Sequence, residues 1–518
     1  MKSLLSGVAL IGLLLQQTLV ASSPVPLQTI PHYFQRNQIT RHSLQSSEVQ
    51  RELAPLVSKG AVIFGPSSAA YPNATSRWVT YAKPNIQVVI QPAEESDVAK
   101  IVRYCNHNSI EFLARNREHG ITTSLNAFRG LEIDFSLLQG RIINERKRTA
   151  TLQGGSYGGP VIRALWDQGY VTSTGASYCV GVMGAALGGG NGRLEGLYGL
   201  VADGLVHLNA VLADGTEVGV NATSHADLFW AMKGAGHNFA IVTSYEVKIY
   251  PKPRNTWHYH NYTWTGDKLE TVFTQLNKLH TSSGGTTPPL MAYEGGAINI
   301  DPSISTTEAT LSWTFAYDGP ARDAEKLLRP FNAIGAVREE TGDVPYIDIA
   351  EIQGTEENYP ICQGGPYVIS SNMLLTYNIT TQRQIYDTFN QFAAKYPTLA
   401  VGSFLTLEGY SNAAVQAIDS RSTAYPHRDA NHIVYFLGAV PDNSLFDAAQ
   451  TWAKETWALW NEGKSSKRPD TYVNYAAGHT YESVESVYGY EPWRLAKLRG
   501  LKARYDPQNR FRFFVPLE

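Results

Sequence analysis

The sequence lacks an excess of basic residues: its 518 residues include 43 Lys and Arg against 46 Asp and Glu, which gives a net charge of −3. Proteins that bind nucleic acid through its phosphates need a surplus of cations on one surface. Beyond the N-terminus the sequence also lacks the run of about 18 apolar residues that a membrane-spanning helix requires. We therefore expect a globular protein that acts on a small molecule, with neither nucleic acid nor a membrane as a partner.

Metal-binding motifs are absent as well. The 13 His residues and 46 acidic residues form no HExxH motif, no paired Cys/His spacing and no EF-hand loop. The sequence therefore predicts no metal site.

Cysteine is scarce. Cys105, Cys179 and Cys362 allow one disulfide and leave one thiol over. Cys105 lies on the apolar face of a predicted helix, which indicates a small core residue, with disulfide pairing as the alternative.

The N-terminus has the composition of a secretory signal. Lys2 precedes an apolar run over residues 4–15, and small residues at positions 21–23 offer a cleavage site. The run is too short to cross a bilayer of about 30 Å hydrocarbon thickness. The sequence therefore predicts a signal peptide over residues 1–21 and a secreted, extracellular protein. Four glycosylation sequons agree with export, at Asn73, Asn221, Asn261 and Asn378.

Hydrophobic periodicity predicts mixed α and β structure. A strand over residues 87–91, a helix over 94–106 and a strand over 111–115 precede short β-like runs that alternate with glycine-dense turns. From Pro251-Lys252-Pro253 onward the elements are longer, so we place a domain boundary there. A final helix over 492–505 ends before an Asp-Pro pair. This pattern is typical of an α+β protein.

A glycine-rich stretch from Gly181 to Gly192 is the densest local signal. Residues without a Cβ atom let the backbone approach a flat or phosphorylated ligand and donate N–H groups to it. The alternative is a set of tight turns in a packed sheet. The stretch is not a Rossmann fingerprint, because the sixth position counted from Gly188 is Arg193 and no βαβ unit surrounds it.

A second glycine-rich turn, Gly154 to Gly158, matches the G-x-S-x-G nucleophile elbow of serine hydrolases, with Ser156 as nucleophile. The preceding run over residues 149–153 is half polar, unlike a buried parallel strand, and no HGGG-type oxyanion loop precedes it. We favour a turn that positions a ligand and keep a serine hydrolase as an alternative.

The polar loop Arg115 to Gly120 directly follows a predicted strand. Its two Arg residues and backbone N–H groups suit a pyrophosphate, and His119 suits a nucleophilic ligand. The alternative for His119 is a solvated loop residue.

In their order along the chain these segments resemble a known family, the FAD-binding domain of the vanillyl-alcohol oxidase and p-cresol methylhydroxylase superfamily. The resemblance is closest to its berberine bridge enzyme-like branch of secreted oxidases. It rests on the segments 91–98, 115–120, 154–158, 180–192, 198–203, 213–215, 227–239, 472–475 and 498–511.

The resemblance implies an α+β fold with two lobes. One lobe is a PCMH-type FAD-binding domain, and the other is a substrate domain built on an antiparallel sheet covered by helices. The implied segments are an N-terminal extension over residues 22–80, the FAD-binding domain over 81–253, the substrate domain over 254–470, and a berberine bridge enzyme-like C-terminal segment over 471–518 that returns to the FAD lobe.

The resemblance also implies that FAD is the cofactor. Matched position by position, the residues expected to bind it are His119, Arg115, Asn116, Arg117, Gly120, Gly175, Ser177, Val180, Gly181, Gly184, Gly188, Gly189, Gly190, Asn191, Gly192, Asp203, Ile241, Val242 and Asn474.

In the family a His after the strand is bonded to the flavin 8α-methyl group, and His119 stands at that place. Some members add a cysteinyl bond, but the matching residue here is Ser177, and Cys179 is offset by two. The resemblance therefore implies FAD held by a single covalent bond; the alternatives are Cys179 reaching the flavin and non-covalent FAD. Glu118 departs from the Gly that the family usually has before the His, and its charge needs Arg115 or Arg117 to neutralise it.

For catalysis, the family moves a hydride from a substrate C–H bond to flavin N5 while a base takes a proton. Tyr475 matches that base and Tyr472 lies beside it. A Tyr base with an ordinary pKa of about 10 needs a neighbour that lowers it. On an extended strand Tyr472 and Asn474 would share one face and Tyr475 the other. Val180 stands where a small residue is associated with access of O₂ to the flavin.

The resemblance thus implies an oxidase that acts on an alcohol, sugar or secondary-metabolite substrate and passes electrons to O₂, which yields hydrogen peroxide. Alternatives are an FAD-dependent cyclase or tailoring enzyme of secondary-metabolite biosynthesis and a binding protein that has lost catalysis. The sequence does not specify the substrate.

Overall fold

The computed structural model describes residues 43–479 and 481–517. The signal peptide predicted over residues 1–21 lies outside the described residues. The described chain forms an α+β fold of two lobes, which confirms the predicted fold class. No helix of the described part combines the length and the apolar character needed to span a membrane.

Up to residue 248, the described part of the first lobe contains ten strands and seven α-helices. The strands are β1 (Val62–Phe64), β2 (Asn85–Gln91), β3 (Glu111–Arg115), β4 (Arg129–Asp134), β5 (Arg141–Asn144), β6 (Thr149–Gln153), β7 (Tyr170–Val171), β8 (Leu205–Val211), β9 (Glu217–Asn221) and β10 (Ile241–Lys248). The helices are α1 (Ser46–Leu53), α2 (Tyr71–Ala74), α3 (Glu95–His107), α4 (Gly158–Asp167), α5 (Val182–Leu187), α6 (Glu195–Tyr198) and α7 (Ala226–Met232).

Two sheets organise this lobe. Four strands in the order β1-β2-β4-β3 form a mixed sheet in which β2, β4 and β3 are parallel. The order β5-β6-β10-β8-β9 forms an antiparallel sheet. Because β1 pairs with β2, the segment before residue 81 contributes a strand to the first sheet.

Helix α3 corresponds to the helix predicted over residues 94–106, and its cap and its apolar spacing explain why the sequence predicts it. Glu94 and Asp97 form a capping box at its N-terminus. Its apolar positions recur at helical spacing and all are buried in one core. Cys105 is among them as a free thiol with no exposed surface, which confirms that it is a core residue.

The second lobe is built on a seven-stranded sheet. Its elements follow the short strand β11 (Tyr250–Pro251), which pairs with β7. They are β12 (Trp257–Thr265), α8 (Leu269–Ser282), β13 (Met291–Asn299), β14 (Thr310–Tyr317), α9 (Ala321–Asn332), β15 (Arg338–Val344), α10 (Ile349–Ile352), β16 (Tyr367–Leu374), α11 (Ile379–Lys395), α12 (Pro397–Ala400), β17 (Phe404–Gly409), α13 (Ala413–Gln416), β18 (His432–Ala439) and α14 (Phe446–Gly463).

The strand order β15-β12-β14-β13-β17-β18-β16 is antiparallel throughout. Side chains alternate across the sheet. On β12, Tyr262 and Trp264 pack into the core that α8, α11 and α14 form on one face, whereas Asn261 and Thr263 line a cavity on the other. This confirms an antiparallel sheet covered by helices, and it directs the uncovered face towards the first lobe.

The chain then returns to the first lobe through α15 (Val484–Tyr488) and α16 (Pro492–Tyr505). Helix α16 has the predicted bounds, and its Leu495, Leu498 and Leu501 join the core that includes Leu228 of α7. Burial of each Leu stabilises this contact by roughly 1.5–3 kcal/mol. A disulfide between Cys179 and Cys362, 183 residues apart, links the two lobes directly.

Candidate active site

A cavity of about 720 Å³ lies between the loops of the first lobe and the uncovered face of the seven-stranded sheet. This volume is typical of a cofactor or small-molecule site. The predicted site residues that line it are Arg115, Asn116, Arg117, His119, Gly120, Gly175, Ser177, Val180, Gly181, Gly184, Asn191, Ile241, Val242, Tyr472, Asn474 and Tyr475.

Asn116 holds three of the predicted loops together. Its Nδ2 atom donates hydrogen bonds to the carbonyl oxygens of Gly154, at 2.8 Å, and Ser156, at 3.0 Å. A Cβ atom at Gly181 would lie 2.6 Å from the same nitrogen. The loop after β3, the Gly154 turn and the start of α5 therefore meet at one side chain, and the absence of a side chain at Gly181 permits it.

Arg115 neutralises the carboxylates around it. It lies 2.7 Å from Glu118, 2.9 Å from Asp134 and 3.9 Å from Glu132. The charge at Glu118 is therefore compensated within the protein by Arg115, one of the two Arg residues expected to do so. The guanidinium of Arg115 is correspondingly engaged by carboxylates.

Glu118 has a φ of 50°, in the left-handed region that Gly favours. This conformation suits the Gly that the resembling family usually has at this position, although the residue here is Glu.

His119 lies at the cavity with its ring stacked on Trp78, their centroids 6.0 Å apart. Burial and the nearby Arg117 lower the pKa of His119 to about 4. Arg117 itself lies over the ring of Tyr157, at 4.2 Å. His119 is therefore neutral near pH 7, and a neutral imidazole keeps the lone pair that a covalent bond requires.

Several features of the cavity wall fit a flat cofactor such as FAD. At Gly175 and Gly184 a Cβ atom would meet no protein atom within 4 Å, so the backbone is open to a ligand there. Asn191 Nδ2 is buried and forms no hydrogen bond of regular geometry with the described residues, although its side chain lies next to the hydroxyl groups of Tyr425 and Tyr472. His237, which the sequence analysis did not include in the site, contacts the carbonyl of Gly184 at 3.1 Å.

Five predicted residues do not line the cavity: Gly188, Gly189, Gly190, Gly192 and Asp203. The backbone N–H of Gly190 donates to Tyr472 Oη at 3.1 Å. Asp203 instead forms a buried ion pair with Arg428, at 2.8 Å. These residues lie outside the cavity and support the residues that form its wall.

Gly188 illustrates this support, because a Cβ atom there would lie 2.3 Å from Asn474 Oδ1. Asn474 Nδ2 in turn donates to the Ala185 carbonyl at 2.9 Å and to Tyr472 Oη at 2.7 Å. The glycine-rich stretch therefore positions the closing motif of the chain as well as the cavity wall.

The predicted extended conformation at residues 472–475 is wrong. Val473–Tyr475 forms a 3-10 turn. Tyr472, Asn474 and Tyr475 consequently all line the cavity, while Val473 packs in the core. In a strand the side chains of Tyr472 and Tyr475 would point to opposite faces. In the turn, both side chains line the same cavity.

Glu408 is the main site residue that the sequence analysis missed. Tyr475 Oη donates a hydrogen bond to Glu408 Oε1 at 3.1 Å, and Tyr410 Oη donates to Oε2 at 3.0 Å. Burial raises the pKa of Glu408 to about 7. Burial and this carboxylate raise the pKa of Tyr475 well above its ordinary value, so the neighbour of Tyr475 is a proton acceptor and not the pKa-lowering group that the sequence analysis expected.

Glu408 follows a β-like run without any motif around it, and its partner lies 67 residues further along the chain. The pairing of β17 with its neighbours and the turn at Val473–Tyr475 together bring the two residues into contact. Other tyrosines from the same sheet complete this wall, namely Tyr293, Tyr410 and Tyr435.

Ser156 does not form a hydrolase site. It is fully buried, and its Oγ atom has no hydrogen-bond partner among the described residues. A serine nucleophile needs a base within hydrogen-bond reach, so the geometry opposes the hydrolase alternative.

Comparison with known proteins agrees with this geometry. The family described as FAD binding domain matches residues 86–221. The FAD-linked oxidoreductase iacH of Pestalotiopsis fici is 55% identical over 518 residues, covering 100% of this chain and 99% of the relative. The FAD-linked oxidoreductase anuG of Penicillium roqueforti is 47% identical, covering 92% of this chain and 93% of the relative.

Among solved structures, Physcomitrella patens BBE-like 1 has a TM-score of 0.76 at 21% identity, covering 91% of this chain and 99% of its own. The Acremonium strictum glucooligosaccharide oxidase has a TM-score of 0.76 at 22% identity, covering 92% and 99%. The fold and the site thus define a flavin-binding enzyme, with the fold of the BBE-like 1 and glucooligosaccharide oxidase structures. The chain belongs to the family of FAD-linked oxidoreductases.

Proposed function

We propose that the protein is a secreted FAD-dependent oxidase that removes hydrogen from an alcohol, sugar or secondary-metabolite substrate and uses O₂ as electron acceptor, with hydrogen peroxide as product. The observation that carries the proposal is the Tyr475–Glu408 pair, a proton acceptor placed in the same cavity as the glycine-lined wall.

The residues that would hold FAD are the backbone at Gly175 and Gly184, the side chain of Asn191 and the ring of His119. When bound, FAD supplies the acceptor for the hydride. The rest of the chemistry belongs to the protein, which orients the substrate against the tyrosine wall and removes its proton.

The proton has a direct route in this geometry. A substrate hydroxyl or amine next to Tyr475 Oη gives its proton to that oxygen while Tyr475 passes its own proton to Glu408 Oε1. Tyr475 remains neutral before and after the transfer, so its raised pKa is no obstacle. Glu408, with a pKa of about 7, is matched to accept a proton near neutral pH.

Covalent attachment through His119 is part of the proposal. A buried, neutral imidazole at the cavity supports it. The Acremonium strictum glucooligosaccharide oxidase has a 6-S-cysteinyl, 8α-N1-histidyl FAD. Here the Cys179 sulfur is in the disulfide with Cys362 and Ser177 lines the cavity, which supports a histidyl bond alone.

Secretion is supported by the same disulfide, because such bonds persist in oxidising compartments. Among the sequons, Asn73 and Asn378 are exposed and suit glycosylation. Asn261 lines the cavity, so we expect no glycan there.

Val180, at the position that the resemblance associates with access of O₂, lines the cavity, which supports oxidase activity. The alternative is an FAD-dependent cyclase or tailoring enzyme of secondary-metabolite biosynthesis, since the Tyr475–Glu408 pair can equally deprotonate a substrate that closes a ring. Net oxygen consumption distinguishes the two activities.

The first experiment measures flavin absorbance of the purified protein before and after acid precipitation, and then peroxide release with a panel of sugars, alcohols and phenols. We expect colour in the pellet and stoichiometric consumption of O₂. Colour in the supernatant would show that FAD is bound without a covalent bond, and it would leave the rest of the proposed function unchanged. Substrate turnover without release of hydrogen peroxide would favour the cyclase over the oxidase. A colourless protein would refute the proposed function.

A further inference from the structure

Two histidines on β12 converge with a glutamate away from the cavity. His258 and His260 are two residues apart, so they project from the same face of the strand, the one opposite Asn261. Glu325 approaches them from α9. Its Oε1 atom lies 2.9 Å from His258 Nε2 and 2.7 Å from His260 Nδ1. One ligand atom of each residue lies within 4.8 Å of the others.

In each ring, the nitrogen that does not contact Glu325, here called the outer nitrogen, also contacts a carboxylate. His258 Nδ1 lies 2.8 Å from Asp343, and His260 Nε2 lies 2.6 Å from Glu339, both on the neighbouring strand β15. Carboxylates in this position orient metal-binding histidines and make the inner nitrogen a stronger ligand.

Glu325 is oriented in a similar way. Its second oxygen, Oε2, accepts a hydrogen bond from Asn332 Nδ2 at 2.8 Å, and Asn332 in turn accepts one from Tyr262. Oε1 is thereby directed at the two rings. All three converging atoms therefore have an orienting partner on their outer side.

Counting protons shows what this arrangement requires. Four short nitrogen-to-carboxylate contacts surround the two rings. Two neutral imidazoles supply only two N–H protons. If the outer nitrogens donate to Asp343 and Glu339, the inner nitrogens present lone pairs towards Glu325. A cation between the three inner atoms would bind these lone pairs together with Glu325 Oε1.

We propose that His258 Nε2, His260 Nδ1 and Glu325 Oε1 bind a divalent metal ion of the zinc type. Two nitrogens and one carboxylate oxygen are ligands that Zn²⁺ prefers, with water in the fourth position. The ion offsets two of the three carboxylate charges of the cluster. No local sequence motif marks this site, because its third ligand lies 65 residues from His260.

The site is accessible but separate from the catalytic cavity. The two rings are almost fully buried, whereas the side chains of Glu339 and Asp343 are about half exposed, at 46% and 50%. An ion can therefore enter from the edge of the sheet. Because the ligands come from β12 and α9 and their supports from β15, the ion ties the edge strand and its helix to the sheet.

The test uses the full-length holoenzyme after treatment with a chelator and dialysis, titrated with Zn²⁺ alone by calorimetry and checked by elemental analysis. We expect one equivalent bound by the wild type, and no saturable binding by Glu325→Gln at the same concentrations. Glu339→Gln should weaken binding by about 10–100-fold, because it removes the support of His260. Glu340→Gln, on the same strand but bonded to Tyr259, should bind like the wild type.

The controls separate this site from another buried group, His280, Glu294 and His432, whose atoms also lie close together. Binding by Glu325→Gln equal to that of the wild type would place the metal elsewhere and overturn the proposal, as would an absence of binding by the wild type. Circular dichroism and flavin absorbance check that each variant is folded. If Glu325→Gln is not folded, the half-exposed Glu339 decides: unchanged affinity in Glu339→Gln refutes the site.

Discussion

Tyr475 donates a hydrogen bond to Glu408 across 3.1 Å, and this bond joins the C-terminal segment of the chain to strand β17. In the proposed function the two residues form the proton-accepting pair of the cavity. Glu408→Gln keeps the shape and removes the acceptor, so kcat should fall by about 10²–10⁴-fold, the usual contribution of a general base.

The measurement is steady-state oxidation with the best substrate of the panel, normalised to flavin content. Flavin content itself should be unchanged, because Glu408 contacts tyrosines of the substrate wall. A Glu408→Gln variant with wild-type kcat would rule out this residue as the acceptor.

The pH dependence follows from the raised pKa of Glu408. The carboxylate accepts the proton only when it is ionised, so kcat/KM should rise with pH through about 7. Tyr410→Phe removes a hydrogen bond that lowers this pKa, and the rising limb should then move to higher pH. The limb should vanish in Glu408→Gln; its persistence there would assign it to another group.

The part of the site that follows local sequence was predictable. Helix α16 ends at an Asp-Pro pair, and the glycine stretch and the loop after β3 match the family in order. Glu408 was not predictable, because its role depends on the register of β17 and on a turn 67 residues away.

The turn at residues 472–475 shows a different limit. Four residues with two tyrosines carry no periodicity that separates a strand from a 3-10 turn. The packing of Val473 into the core and the hydrogen bonds of Asn474 decide the conformation. These contacts are made with the glycine-rich stretch, which is distant in the sequence. A local sequence pattern therefore cannot predict them.

His119→Ala tests the covalent bond. We expect flavin to move from the acid pellet to the supernatant, because the variant has no imidazole to bond the cofactor. His237→Ala is the matched control: burial lowers the pKa of His237 to about 4 as well, and it lines the same cavity. The control should keep its flavin in the pellet. If both variants release their flavin into the supernatant, retention of flavin in the pellet depends on the fold of the protein and not on a bond at His119.

The disulfide should contribute to stability because it closes a loop of 183 residues between the lobes. Cys362→Ser should lower the free energy of unfolding by about 2–5 kcal/mol, measured by denaturant titration of the flavin-loaded protein. Cys179→Ser and the double variant should lose the same amount, since each removes one and the same bond. A double variant that loses the sum of both would point to separate packing effects.

Gly184 provides the sharpest test of the glycine-lined wall. It lies within α5 and borders the cavity, and a Cβ atom there would meet no protein atom within 4 Å. Gly184→Leu should therefore leave the protein folded, while the side chain occupies the space assigned to the cofactor. The flavin absorbance per chain should fall at least tenfold.

Gly500 is the matched control for this substitution, because it lies within α16, is exposed and also has open space around its Cβ position. Leu is favoured over Gly in a helix by roughly 0.5–1 kcal/mol, so Gly500→Leu should be as stable as the wild type or more so, with full flavin content. If Gly184→Leu also keeps its full flavin content, the cofactor does not lie against α5, and the assignment of the wall must be changed. Loss of flavin in the Gly184 variant alone, with the thermal unfolding transition of the wild type retained, would place the cofactor against Gly184, where a Cβ atom would meet no protein atom within 4 Å.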